Sequence, residues 1–268
     1  MLLFFLFMNN LNLLPVFTSH FSLGRSILNL DDSEDEIDIS KPVSIFSIAR
    51  QYKLDKIFLK ENSFSGFIRF YEGCKKLNIQ GIFGIKLIMC NDSAKKDDES
   101  RKTESAVTIW MKNSDSYKDL LRIYSKSHTE NFYYYGRYSW NELIENWSDN
   151  LILSVDFYNG FTARNLLENY QCIPNFGQIK PYFEYSLMGL PFDSLIETAT
   201  NEYVKNNKYE KLNTHLIFYY KNQDFKQYLL MRCINNRTTF NKPQLVHNAF
   251  DTFCFQEYCK RNDIEFLN

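Results

Sequence analysis

Apolar segments of strand length alternate along this chain with segments of helical periodicity. This alternation is the strongest constraint on the fold that the chain can adopt. Residues 13–18, 56–59 and 79–89 are typical of buried strands. Between them, residues 45–52 and 67–77 repeat apolar side chains at helical spacing. Strands and helices in this order, with short connections, favour a parallel α/β architecture.

The alternation continues to the C-terminal part of the chain. Further strands are predicted over residues 106–111, 151–155, 180–185 and 215–219. Further helices are predicted over residues 116–125, 140–147, 161–170, 193–206 and 224–233. Residues 31–36 and 91–104 are predicted surface loops rich in charge. Because no linker interrupts the pattern, we expect a single domain over residues 13–268, preceded by an apolar extension over residues 1–12.

The composition indicates a folded chain without a general affinity for nucleic acid. Hydrophobic residues make up 44% of the 268 residues, with 24 Phe and 18 Tyr, which excludes a disordered chain. The net charge is −1, so direct DNA contact would need a local patch. Lys, Asn, Ile, Phe and Tyr have AT-rich codons, and their frequent use is compatible with a phage gene.

Neither the cysteines nor the N-terminal residues indicate an exported protein. The 6 cysteines form no Cys-x-x-Cys pair and stand at no zinc-finger spacing, so we expect reduced, mostly buried thiols. Residues 1–8 are apolar but too short to span a bilayer, and they lack the basic start and cleavage site of a signal peptide. We therefore expect a cytoplasmic protein without a membrane partner, in the host cytoplasm if the gene is a phage gene.

Three phrases of the sequence carry a family resemblance. In residues 64–84 a helix with Phe-Tyr and two basic residues leads to Ile-Phe-Gly. Residues 108–121 combine a strand, Lys-Asn and a Leu pair. In residues 228–245 a Cys-Ile helix end runs into Arg-Thr-Thr-Phe-Asn-Lys-Pro, and Phe-rich residues 250–255 follow. Together they resemble the PHP (polymerase and histidinol phosphatase) domain of bacterial DNA polymerase III alpha subunits, over about residues 15–258.

The resemblance implies a fold and a kind of site. The fold is α/β, a distorted seven-stranded PHP-type (β/α) barrel, and this chain stops at Asn268, before any polymerase palm. Active members hold a cluster of metal ions on His, Asp, Glu and Cys ligands and hydrolyse phosphoesters. The metals polarise phosphoryl oxygens and generate hydroxide.

The first two ligand motifs of the family are changed in this chain. The His pair of the first motif falls on Val16 and Thr18, with His20 nearby. Neither Val16 nor Thr18 is a useful metal ligand. The Asp-His pair of the second motif falls on Glu61 and Asn62, of which only Glu61 is a good ligand.

The later ligand positions are changed as well. The acidic ligand after the Ile-x-Gly strand falls on Lys86 or a neighbour, and the charge of a lysine repels a metal. The late Cys falls near Phe157, beside Asp156, and the final Asp-x-His falls in residues 216–219, after His215. With only 4 His in the chain, the resemblance implies a degenerate site. The candidates for a residual metal site are His20, Glu61, Asp156 and His215.

Other motifs leave alternatives open. His20 and His215 could instead be hydrogen-bonded structural residues, and His128 and His247 are expected on surface loops. The aromatic run 132–135, with Arg137 and Tyr138, could stack nucleic acid bases or pack as a strand. Arg25 could contact a phosphate or close a turn, and the turn is favoured because no phosphate-loop spacing surrounds it.

The resemblance and the missing ligands favour a non-catalytic replication component. It would bind a separately encoded DNA polymerase core or its proofreading exonuclease partner as a scaffold, without a cofactor. The alternative is a metal-dependent phosphoesterase: a pyrophosphatase, a 3'-5' exonuclease or a small-phosphate phosphatase, with Mn or Zn on the four candidate ligands. A regulator with neither property is a third possibility.

Overall fold

The computed structural model of the chain describes residues 13–31, 42–239 and 250–267. Four features discussed above lie outside these residues. They are the apolar extension, all but the first residue of the acidic loop, the Lys-Pro turn of the third phrase, and His247.

Eight strands and nine α-helices follow one another in the described part of the chain. The strands are β1 (Leu14–Phe17), β2 (Lys56–Glu61), β3 (Gln80–Cys90), β4 (Ser105–Met111), β5 (Arg137–Ser139), β6 (Leu151–Val155), β7 (Tyr182–Tyr185) and β8 (Glu210–Ile217). The helices are α1 (Ile45–Gln51), α2 (Phe67–Leu77), α3 (Asp98–Arg101), α4 (Ser116–His128), α5 (Trp140–Glu145), α6 (Phe161–Leu167), α7 (Asp193–Asn207), α8 (Phe225–Asn235) and α9 (Phe255–Arg261). The predicted mixed α/β class is confirmed.

The described residues form two compact units. The central unit comprises Gly84–Ser186 and Pro191–Asn213. The terminal unit comprises the described residues before Gly84, Leu187–Leu190, and those from Thr214 onwards. Strands β3 and β8 contribute residues to both units.

In the terminal unit, β1 lies between β2 and the end of β8 and runs parallel to both. Val16 pairs with Phe58 on one side and with Leu216 on the other. All of β1 is buried, as expected for a parallel strand covered on both faces. Helix α1 begins where the Oγ of Ser44 accepts a hydrogen bond from the backbone N–H of Phe46, at 3.2 Å.

In the central unit, β4 is antiparallel to both of its neighbours, β3 and β6. Lys86 pairs with Thr108, and Thr108 pairs with Ser154. Strand β5 runs parallel to β3, β7 to β6, and β8 to β7. The parallel prediction is therefore wrong for β4. The connection before β4 holds only the 4-residue helix α3, which is too short to return the chain along the 11-residue β3 for a parallel strand.

Aromatic side chains fill much of the core of the central unit. The ring of Phe161 lies 4.9 Å from that of Tyr203 and 6.1 Å from that of Phe183, both edge to face. Phe176 and Tyr209 pack against the same rings. Because such rings bury large areas and prefer defined contact angles, they make a rigid core.

Most predicted elements are confirmed to within a few residues, and four differ. Strand β8 begins at Glu210, 5 residues before the predicted start. The prediction missed its first half because these residues are mainly polar and exposed. Helix α3 lies in a predicted loop, and β5, with 3 residues, is too short to show a period. Helix α9 was not predicted. Its N-cap is the thiol of Cys254, which accepts from the Glu257 N–H in place of the usual Ser, Thr, Asp or Asn.

Two further expectations concern the cysteines and the helices. All 6 cysteines are free, and all but Cys233 are buried, which confirms the predicted burial of most thiols. Within the described ranges, we find no helix with the length and apolarity needed to cross a membrane.

A close approach between Gly84 and Trp110 gives a test of the central unit. A Cβ added at Gly84 would lie 2.4 Å from the indole ring, and a buried ring cannot yield as a flexible chain end does. We expect Gly84→Ala to lower the free energy of unfolding by about 1–3 kcal/mol through overpacking. Urea denaturation measures the loss. Gln80→Ala, at the exposed start of the same strand, is the control, and an equally small effect of both substitutions would contradict the packing.

Candidate functional site

Glu61, at the end of β2, is a fully buried carboxylate. Its Oε1 accepts a hydrogen bond from the backbone N–H of Ser19, at 2.8 Å. Its Oε2 accepts one from the hydroxyl of Ser22, which in turn accepts from the N–H of Asn62. Both oxygens of the strongest predicted ligand therefore already have donors in the turn after β1.

Burial changes the acidity of this carboxyl group. It raises the pKa of Glu61 to about 7, although the hydrogen bonds from Ser19 and Ser22 act in the opposite direction. At neutral pH the group is therefore divided between its neutral and charged forms. A neutral carboxyl group is a poor metal ligand.

His20 lies in the same turn, between Ser19 and Phe21. Its ring stacks at a tilt on the Phe21 ring, with 4.2 Å between centroids. Its Nδ1 is buried and has no hydrogen-bond partner among the described residues. The choice between a structural and a metal-binding role for His20 therefore stays a prediction.

His215, in β8, is fully buried and makes the hydrogen bond expected of a structural residue. Its Nε2–H donates to the carbonyl oxygen of Cys254, at 3.1 Å. Burial, and next the charge of Arg261, lower its pKa to about 3, so the imidazole is neutral.

The strand register separates His215 from the end of β2 where Glu61 lies. His215 pairs with Pro15, while the Glu61 carboxylate bonds to Ser19, 4 residues further along the chain. At the rise of a β-strand, this offset corresponds to roughly 13 Å along the strand direction. The two residues therefore stand at different levels of the sheet.

In the central unit, Asp156 and Lys86 form a buried ion pair. Lys86 Nζ lies 3.2 Å from Asp156 Oδ2, and the two side chains are only 13% and 4% exposed. The other carboxylate oxygen of Asp156 accepts hydrogen bonds from the backbone and side-chain N–H groups of Asn159. Lys86, which the resemblance places at an acidic ligand position, thus pairs with another predicted ligand.

A hydrogen-bonded chain on neighbouring strands was missed by the sequence analysis. The indole Nε1–H of Trp110 donates to Ser154 Oγ at 2.8 Å, and the Ser154 hydroxyl donates to Glu184 Oε1 at 2.7 Å. All three side chains are buried. Polar residues within the apolar strands β6 and β7 were the available signal, because a buried carboxylate needs such partners.

The remaining predicted positions have structural surroundings. Val16 and Thr18 are buried. Arg25 closes a turn, because its backbone N–H donates a hydrogen bond to the Ser22 carbonyl oxygen. His128 is exposed at the end of α4, where its Nδ1 lies 2.8 Å from the Ser127 hydroxyl. It thus ends a helix where a loop was predicted.

No group of three or more His, Cys, Asp or Glu side chains is placed to hold a metal ion within residues 13–31, 42–239 and 250–267. Glu61 and Asp156 have protein donors, and His215 bonds to a carbonyl. The residual metal site predicted from these residues and His20 stays a prediction.

Comparison with known proteins gives one family. The sequence profile described as "PHP domain" matches residues 19–215, which is more than half of the chain. The predicted resemblance is confirmed, and with it the PHP-type (β/α) barrel as the fold class.

Several relatives of this chain are named DNA polymerase III subunit alpha. The one from Borreliella burgdorferi is 33% identical over 133 residues, 48% of this chain and 12% of the relative. Those from Chlamydia muridarum and Campylobacter jejuni are 27% identical over 128 residues and 32% over 89 residues. These two matches cover 47% and 33% of this chain but only 10% and 7% of the relatives. The chain thus matches a small part of each relative.

The raised pKa of Glu61 predicts a pH-dependent stability. Its folded-state pKa of about 7 exceeds the ordinary 4.5, so its proton stabilises the folded state at low pH. That contribution is lost as the pH rises through 7. The side chain of Glu61→Gln stays uncharged at every pH. Between about pH 5 and pH 8, the free energy of unfolding of the unsubstituted chain should therefore fall by about 2 kcal/mol relative to that of Glu61→Gln.

Urea denaturation of the metal-free proteins at the two pH values measures this difference. Glu72→Gln, which removes an exposed carboxylate of α2, is the control and should show little change. A relative stability of Glu61→Gln that stays constant with pH would mean that Glu61 is ionised throughout.

The ion pair between Lys86 and Asp156 gives a second test. Lys86→Met leaves the Asp156 carboxylate buried without the ammonium, and we expect a loss of about 3 kcal/mol in the free energy of unfolding. Asp156→Asn should also destabilise the chain, and the double variant should lose less than the sum of the two. Urea denaturation of the three variants checks this, with Lys118→Met on exposed α4 as the control. Strictly additive losses would show that the two groups do not interact.

Proposed function

This chain belongs to the PHP domain family, and on that premise we propose that it is a non-catalytic, replication-associated scaffold. It binds a DNA polymerase core or a proofreading exonuclease subunit that is encoded separately. The names of its relatives support the association with replication. In this proposal the polymerase activity belongs to the partner. A cytoplasmic location is part of this proposal.

The ion pair between Lys86 and Asp156 is the observation that carries the non-catalytic role. A metal-dependent phosphoesterase needs carboxylates available to divalent cations. Here the Lys86 ammonium lies 3.2 Å from one Asp156 oxygen, and Asn159 donates to the other. A divalent cation at this carboxylate would have to displace the ammonium or stand beside a like charge in a buried site, and both cost energy.

The scaffold role also fits how two buried carboxyl groups, those of Glu61 and Glu184, are hydrogen-bonded inside the chain. The Glu61 carboxylate is bonded by Ser19 and Ser22, and Ser154 bridges Trp110 and Glu184. Such internal pairing rigidifies a domain. A rigid domain can present a fixed surface to a partner, because it loses little conformational freedom on binding.

Complex formation tests this proposal directly. The purified chain is mixed in turn with the cognate polymerase core and with the proofreading exonuclease subunit. We expect a stable complex with one of them by size-exclusion chromatography with light scattering. Bovine serum albumin in place of the partner is the control. A chain that elutes unchanged in the presence of both partners would contradict the scaffold role.

A further inference from the structure

The aromatic run 132–135 forms a turn of the central unit, while Arg137 and Tyr138 lie in strand β5, as one alternative predicted. Phe132 and Tyr134 are 46% and 69% exposed. Tyr133 and Tyr135 are half-buried, and the backbone N–H of Tyr133 donates to the Tyr135 carbonyl oxygen at 3.1 Å. Arg137 is buried. The predicted base-stacking set is thus reduced to Phe132 and Tyr134.

Tyr134 has a strained backbone. Its φ is +61°, in the left-handed region that bulky side chains rarely adopt. Asn78 and Lys208 share this region but are C-caps of helices, where it is common. Tyr134 caps no helix. Strain of this kind persists only where the surroundings enforce it, and it is concentrated at functional positions.

The surroundings of Tyr134 hold the turn in place. The Tyr135 hydroxyl donates to the buried carboxylate of Glu104. The Arg137 guanidinium carbon lies 4.8 Å from the centroid of the Tyr133 ring. Both neighbours of Tyr134 are therefore anchored, and its ring is presented to solvent on a fixed support.

Arg101 lies over the Tyr134 ring. Its guanidinium carbon lies 5.2 Å from the Tyr134 ring centroid, and its side chain is 44% exposed. Arginine and aromatic side chains both stack on planar groups. We call Phe132, Tyr134 and Arg101 the aromatic platform.

We propose that the aromatic platform binds unpaired bases of single-stranded nucleic acid by stacking. Every base offers a π-face, and stacking of bases on aromatic side chains, with cation–π contributions from arginine, is one of the means by which proteins bind unpaired bases without sequence preference. This inference does not depend on the scaffold role, because it concerns the isolated chain.

The charges around the aromatic platform decide whether base stacking or attraction to phosphates dominates binding. Lys102 pairs with Glu99 at 2.7 Å, and Arg101 lies 3.9 Å from Asp98. Lys96 donates to the Glu130 carbonyl oxygen. Because Arg101 and Lys102 have acidic neighbours, little of their positive charge remains to neutralise phosphates. Binding should therefore depend on stacking and respond only weakly to salt.

A nucleic acid fits this surface better than a protein partner does. Stable protein interfaces need a broad, well-packed area. The exposed apolar groups here are two rings with the charged residues 95–102 beside them. Such isolated rings suit a short run of bases.

Fluorescence anisotropy with labelled oligothymidylate, oligoadenylate and oligouridylate tests the proposal. Tyr134→Phe keeps the ring and should bind with an affinity close to that of the unsubstituted chain. Tyr134→Gly removes the ring but tolerates the left-handed backbone, so it should fold at least as well while its Kd rises about fivefold or more. Thermal unfolding confirms its fold. Tyr71→Ala removes an exposed tyrosine of α2 in the terminal unit and should leave the Kd unchanged.

Three results would overturn the proposal. One is the absence of binding to all three oligonucleotides by the unsubstituted chain. Another is equal binding by Tyr134→Gly and Tyr134→Phe. The third is a steep loss of affinity between about 50 and 200 mM salt that Lys95→Ala and Lys96→Ala reproduce, which would assign binding to phosphate contacts. Oligothymidylate against oligouridylate shows whether DNA or RNA is preferred.

Discussion

Polar side chains buried in the strands of this chain must find their partners inside the chain, and the rest of the site depends on this constraint. An unpaired buried charge is costly, so each one fixes its neighbours. Lys86 and Asp156 pair across β3 and the end of β6. Glu61 fixes the turn that contains Ser19 and Ser22. Groups that could have held a metal are used to hold the fold.

This arrangement connects the loss of ligands with the proposed scaffold role. The Glu61 carboxylate has serine donors, and the Asp156 carboxylate has lysine and asparagine donors, so each is satisfied without metal. The same bonds keep the strands in register and make the domain rigid. Rigidity is useful for partner binding, because a rigid domain loses little conformational freedom when it binds. The strained Tyr134 lies in a separate turn and takes no part in these contacts, so its surface can serve a different purpose.

Much of the fold could be predicted from local pattern. Apolar periodicity located β1, α2, β6 and α7 to within a few residues, because a core-facing segment shows its period in any context. Other features depend on contacts that the local pattern does not contain. The antiparallel direction of β4 depends on how the chain returns after β3. The start of α9 depends on the Cys254 thiol as a cap, which a rule based on Ser, Thr, Asp and Asn does not recognise.

The residue types of the candidate site could be predicted from the sequence, but the hydrogen-bond and ion-pair partners of these residues could not. The sequence showed Lys86 at an acidic ligand position and Asp156 beside a Cys position, yet their pairing joins residues 70 positions apart. The Cys254 carbonyl that receives the His215 hydrogen bond is 39 positions away. Ser22 donates to Glu61 across 39 positions. Such contacts are set by tertiary structure, which periodicity in a single sequence does not encode.

Metal content tests the non-catalytic proposal most directly. The purified, tag-free chain is incubated with manganese and zinc, desalted, and measured by elemental mass spectrometry. We expect near-zero metal per chain, with no difference between the unsubstituted chain and His20→Ala, and His128→Ala serves as a surface control. One or more tightly held ions that are lost in His20→Ala but kept in His128→Ala would contradict the proposal. That result would favour a phosphoesterase whose residual site uses His20, Glu61, Asp156 and His215.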